Sequence, residues 1–180
     1  MQDTGRFLTA LSRVVRALTG GRRGEASDAA STTLHADAQA SPGRTGASAT
    51  VEVDPVRVRG IRLAHAPSAD GEPDPGEIVW TWVPYEENDG RGKDRPVAVV
   101  AAGAPGEYLA VQLTSKPRDR DRDHVALGTG SWDPEGRPSW ARIDRVFRVH
   151  ADGMRREAAA LDRRRFELLA DALEARYGWR

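Results

Sequence analysis

Arg118, Arg120 and Arg122 alternate with Asp119, Asp121 and Asp123 in one short stretch of this 180-residue chain. If the stretch is extended, the three guanidinium groups share a side and can meet a phosphate backbone. If it folds on itself, it is a solvated loop that neutralises its own charge. Trp132 lies in a loop rich in glycine and proline, where an exposed ring can stack on a nucleobase. Trp80 and Trp82 share strand parity, which suits a core or a dimer interface as well as a stacking platform. Other chemistries find no support. There is no cysteine, hence no disulfide and no thiolate metal site. The histidines, His35, His65, His124 and His150, form no HxxxH or HExxH pair, so neither zinc nor another cofactor is expected. The GTG at 128–130 is too short to cradle a phosphate, and no GxxxxGK[ST] occurs.

Composition bounds what can position these residues. Hydrophobic residues make up 39% of the chain, and 18 glycines and 11 prolines mark it as turn-rich. That suits one domain plus a flexible segment. Arginine outnumbers lysine 25 to 2, yet the formal net charge is zero. Residues 1–23 carry a net charge of +4, residues 24–75 carry −4, and residues 76–180 are balanced. A protein that coats nucleic acid shows a basic excess. Any nucleic-acid contact here is therefore a local patch.

Periodicity divides the chain. Phe7, Leu8, Leu11, Val14, Val15 and Leu18 recur at helical spacing, and Gly20 and Gly21 end the run, giving an amphipathic extension over 1–21. It is too short and charged to span a membrane and makes a poor signal peptide, so no stable membrane insertion and a cytoplasmic location are expected. Residues 22–49 are small and polar and read as a flexible linker. A domain follows over 50–180, patterned most sharply over 76–180. Val56 and Val58 alternate with Arg57 and Arg59 as in a half-buried strand. Strands are expected at 77–83, 96–101, 107–113, 124–127 and 140–149, the second and third joined by a turn at 103–106. Many short strands with tight turns predict a mainly β domain, a small barrel. A C-terminal helix closes it. Asp162 is its N-cap, Leu161 and Phe166 have hydrophobic-staple spacing, and Gly178 ends it.

Four stretches then carry a resemblance. GEIVW at 76–80, KDRPVAVVA at 93–101, LTS at 113–115 and SWARIDRVFRV at 139–149 appear in an order that resembles the MazF/PemK toxin family. The resemblance covers about 76–180. It implies an SH3-like barrel with helices, a homodimer, and metal-independent cleavage of single-stranded RNA by a toxin whose cognate antitoxin covers the active groove.

The resemblance also implies roles. The family's catalytic arginine falls on Arg95 and its catalytic threonine on Thr114, with Ser115 beside it. Some members carry a glutamate before the arginine, where this chain has Gly90. Glu87 and Asp89 are the nearby acids that could support the reaction. RNA contacts are expected from Arg91, Lys93, Lys116, Arg118, Arg120, Arg122 and Trp132. Arginine suits a phosphate, because its planar fork matches the oxygens, but its high pKa makes it a poor base. The competing readings for Arg95 and Thr114 are a surface salt bridge to Asp94 or Glu87 and the cap of a turn. For the whole chain they are a catalytically silent RNA- or protein-binding module, and a scaffold whose N-terminal helix matters most.

Overall fold

The structure, a computed structural model, describes residues 41–68 and 71–180. The expected helix of the N-terminal extension, and the linker as far as residue 40, lie outside the described residues. Among the described residues, eight strands, one α-helix and a one-turn 3-10 helix (Ala151–Gly153) make up the domain: β1 (Val51–Val53), β2 (Glu77–Pro84), β3 (Gly92–Ala102), β4 (Glu107–Thr114), β5 (His124–Gly128), β6 (Ser139–Arg142), β7 (Val146–His150), β8 (Arg155–Ala160) and α1 (Arg163–Tyr177). The strands pair in the order β1-β7-β4-β3-β2-β8, and β6 joins β4 to β5 off this path. Every pairing is antiparallel.

The expected closed, SH3-like barrel is not formed. β1 and β8 stand at the two ends of the strand path and do not pair with each other. Closure needs two free edges long enough to form a ladder. Here β1 has only three residues, and β8 is bent by a register shift and by Ala158 at φ 51°. The edges are managed by short length and charge instead: Glu52 sits in β1, and Arg155, Arg156 and Glu157 sit in β8. The domain is a mixed fold, an open antiparallel sheet with one C-terminal helix.

Both faces of the central strands are buried. On one face Ile78, Ala98, Val100, Val111 and Leu113 pack with Phe166, Leu169 and Leu173 of α1. On the other, Val79, Val83, Val97, Val99, Ala110 and Phe147 form a second cluster. Burying each such large side chain contributes about 1.5–3 kcal/mol. α1 begins where the Asp162 carboxylate accepts the Arg165 N–H (2.9 Å), and it stops at Gly178, left-handed at φ 71°.

Residues 41–49, assigned from sequence to the linker, are hydrogen-bonded to the sheet. The Trp82 N–H donates to Pro42 O (2.9 Å), and the Thr50 N–H donates to Gly43 O (2.7 Å). The buried Thr50 and Thr81 hydroxyls are 2.6 Å apart. Gly43 is left-handed, and a Cβ there would meet the Thr81 hydroxyl and Gly153 O, so only glycine fits. Residues 56–59 form no strand, and Val56 is 61% exposed. Instead Val58, Ile61 and Leu63 pack on the core, and the Leu63 N–H donates to Arg180 O. Among the described residues no helix is long and apolar enough to cross a membrane.

Candidate active site

The β3–β4 hairpin builds the site. Val97 pairs with Gln112, and Ala98 with Val111. Extending that register sets Arg95 opposite Thr114. The ladder nevertheless stops at Val97, next to Pro96, which has no N–H to offer. β6 precedes β7 on the opposite edge of β4, Leu113 pairing with Ala141 and Thr114 with Trp140, so past Val97 no ladder ties β4 to β3. The strands part, and a cleft of about 300 Å³ opens between them. Arg95, Thr114, Ser115, Lys93 and Lys116 line it.

Two further hollows continue the cleft into a groove, and Arg95 lines all three. One, of about 370 Å³, also holds Gln112, Thr114, Arg118, His124 and Arg142. The other, of about 420 Å³, holds Glu86, Glu87, Arg91 and Arg145. The sheet's parity explains the grouping. Thr114 pairs with Trp140, and Arg142 pairs with His124, so Thr114, Arg142 and His124 face one side across β4, β6 and β5.

Charge along the groove is sorted. Arg142 donates to Asp144 through Nε (2.7 Å) and Nη2 (2.8 Å), and to Glu86 through Nη1 (2.5 Å). Its bond to Glu86 holds that carboxyl below its ordinary range. Arg91 is paired with Asp89, Arg137 with Asp133, and Arg155 with Asp94. Among the described residues Lys93, Arg95, Lys116 and Arg118 make no ion pair. Lys93, Arg95, Lys116 and Arg118 therefore stand in this groove without a carboxylate partner, where an anion can reach them.

Asp94, the expected salt-bridge partner of Arg95, is taken by Arg155 at 3.1 Å. Thr114 does cap a turn: its Oγ1 accepts the Lys116 N–H at 3.2 Å. That bond occupies one lone pair and leaves the hydroxyl hydrogen free to donate. Asp89 binds Arg91, and its carboxyl is lowered first by the Arg91 backbone N–H and then by its side chain.

Two expectations need correction. Trp132 is not an exposed platform. It is 4% exposed, its Nε1–H donates to Ser139 Oγ (3.0 Å), and the Arg165 guanidinium lies over its ring. The apolar ring closes the core behind the cleft, and its edge lines the cleft wall. The stretch from 116 to 123 is not extended either. The Asp121 N–H donates to Arg118 O, and the His124 N–H to Asp121 O, folding it into turns. Arg118 reaches the groove, whereas Arg120 and Arg122 line none of the three hollows. Among the described residues no cluster of three His, Cys, Asp or Glu could hold a metal ion.

Residues 74–176 match the family model described as the PemK-like, MazF-like toxin of type II toxin–antitoxin systems. The chain belongs to this family. Similar solved structures include two crystal forms of MazE–MazF from Deinococcus radiodurans. Form II is 17% identical, with a TM-score of 0.45, covering 59% of this chain and 96% of that one. Form III has the same identity and TM-score, covering 60% and 98%. No curated protein matches significantly.

This PemK-like domain holds groove residues that the sequence did not single out: Glu86, Gln112, His124, Arg137 and Arg142. No short motif marks them. The pairing of β4, β6 and β5 brings Gln112, Arg142 and His124 together, Glu86 joins them through its bond to Arg142, and Arg137 reaches the cleft from the loop before β6.

Proposed function

We propose that this PemK-like toxin is an endoribonuclease that cleaves single-stranded RNA through the substrate's own 2′-hydroxyl, without a metal. One observation carries the reading. Arg95 lines the full length of a groove that also holds Lys93, Lys116 and Arg118, and it is free of ion pairs among the described residues, opposite a threonine whose hydroxyl can still donate. A phosphate between them receives the guanidinium fork on its oxygens and the Thr114 hydroxyl on one of them. Negative charge grows on those oxygens as the 2′-oxygen attacks, and a fixed cation there lowers the barrier. Lys93, Lys116, Arg118 and Arg91 hold the flanking phosphates, and Ser115 stands beside Thr114. The toxin acts in the cytoplasm as a homodimer, and a cognate antitoxin silences it by covering the groove.

The test compares wild type with Arg95→Ala on one long single-stranded RNA. Loss of the guanidinium removes about 3 kcal/mol of transition-state stabilisation, roughly a hundredfold in rate. The fold is retained, because no ion pair is broken. Equal rates would remove Arg95 from the mechanism. If neither protein cuts RNA while both still bind it, the domain is a silent RNA-binding module.

A further inference from the structure

The proposed cleavage needs a group to take the 2′-hydroxyl proton, and the carboxylates of the groove are poorly placed to do so. Asp144 and Glu86 are both bound to Arg142, Asp123 is bound to Arg176 at 2.6 Å, and Asp133 to Arg137 at 2.9 Å. An arginine partner stabilises the ionised carboxylate and so weakens it as a base. Glu87 lies in the hollow beyond Arg95 and does not line those that Thr114 shares.

His124 opens β5 and lines the same hollow as Arg95 and Thr114. Its side chain is 7% exposed, and Asp121 Oδ2 stands 3.0 Å from its Nδ1, off the line of an ideal hydrogen bond. Asp121 is itself fixed, since its Oδ1 accepts the Asp123 N–H at 3.0 Å. With the hydrogen on Nδ1, towards Asp121, the Nε2 lone pair is left without a partner among the described residues. A carboxylate behind an imidazole sets its tautomer and favours the imidazolium that forms when it takes a proton.

Resting on the proposed ribonuclease reading, we propose that His124 is the proton acceptor and Asp121 its positioning residue. His124 Nε2 takes the proton from the ribose 2′-hydroxyl as O2′ bonds to phosphorus. The P–O5′ bond breaks, and the 5′-oxygen takes a proton from solvent. The products are a 2′,3′-cyclic phosphate and a 5′-hydroxyl, and His124 returns its proton to water. Other charges face the imidazole too. Arg142 is its cross-strand partner on β6 and carries Asp144. Asp123 is held by Arg176 of α1, and Lys116, Arg118, Glu86 and Arg95 complete the hollow.

The experiment measures RNA cleavage against pH for the full chain and for His124→Ala and Asp121→Asn, with RNA affinity and melting followed in parallel. Wild type should lose rate at low pH as one group becomes protonated. His124→Ala should cut about a hundredfold more slowly, bind RNA as before, lose that limb and regain rate with added imidazole. Asp121→Asn should cut more slowly with RNA affinity and melting unchanged, since the imidazole loses the carboxylate that sets its tautomer. It carries the test if His124→Ala loses its cooperative melt. Wild-type cleavage with an unchanged limb in a folded His124→Ala, or a wild-type rate in Asp121→Asn, would overturn the inference and leave the ribonuclease reading intact. No cleavage by wild type would overturn both.

Discussion

Glu52→Ala should cost more stability than Arg145→Met, although both break the same ion pair. The Arg145 side chain is 7% exposed and that of Glu52 is 30% exposed. Arg145 donates to Glu52 through Nε (2.9 Å) and Nη2 (2.5 Å), and Nη2 also donates to Pro84 O (3.0 Å). Its guanidinium lies 5.0 Å from the Phe147 ring centroid. Removing Glu52 leaves a buried cation with one carbonyl and one ring for partners. Loss of one member of a buried pair costs about 3–5 kcal/mol, and those remaining contacts place this case near about 3 kcal/mol. Removing Arg145 leaves a carboxylate that water reaches, while methionine refills the apolar part of the space, so the cost is about 1 kcal/mol. The pair also matters to the open edge, because it ties three-residue β1 to β7 and to the end of β2 beside the groove. Urea unfolding of both variants at equal m-values measures the difference. An Arg145→Met cost equal to or greater than that of Glu52→Ala would refute the reasoning.

The fully buried Leu173 makes Leu173→Ala cost about 2–5 kcal/mol in urea unfolding, with the cavity opening under α1. Removing residues 1–40 should leave a cooperative melt, whereas removal through residue 49 also deletes the Pro42 and Gly43 bonds and should lower the melting temperature measurably. Hydrogen bonds hold several carboxyls below their ordinary range: Asp162 through the Arg165 N–H, Glu86 through Arg142, and Asp133 through Arg137. Folded values below unfolded ones give stability that is complete above the unfolded range, about pH 4, and lost as pH falls through the folded values. The urea midpoint should therefore hold from neutral pH to about pH 5 and fall below about pH 4. Sedimentation at micromolar concentration should show a dimer.

Some elements could be read directly because their signals are local. Asp162, Leu161, Phe166 and Gly178 mark α1 by capping and packing within a few residues of one another. The valine run of β3 and the turn at 103–106 mark the hairpin in the same way, and the hairpin alone brings Arg95 back towards Thr114. β8 went unread, because Arg155–Ala160 is alanine-rich and charged and is a strand only through its pairing with β2. The stretch 140–149 hid a break. β6 ends at Arg142 and β7 begins at Val146; both pair with β4, but the register shifts between them, and their outer partners are β5 and β1. Barrel closure was a non-local property that strand count could not decide. His124 and Arg142 lie far apart in sequence from Arg95, and the register of three strands sets them together. Trp132 shows the opposite failure: a turn-rich stretch suggested exposure, but a single apolar ring with an Nε1–H partner was drawn into the core.

The most direct test of the ribonuclease account is the end chemistry of a long single-stranded RNA incubated with the full chain in excess EDTA. The account predicts cleavage unaffected by the chelator, with a 2′,3′-cyclic phosphate on one side of each cut and a 5′-hydroxyl on the other. Intact RNA, or fragments that carry 5′-phosphates, would contradict it.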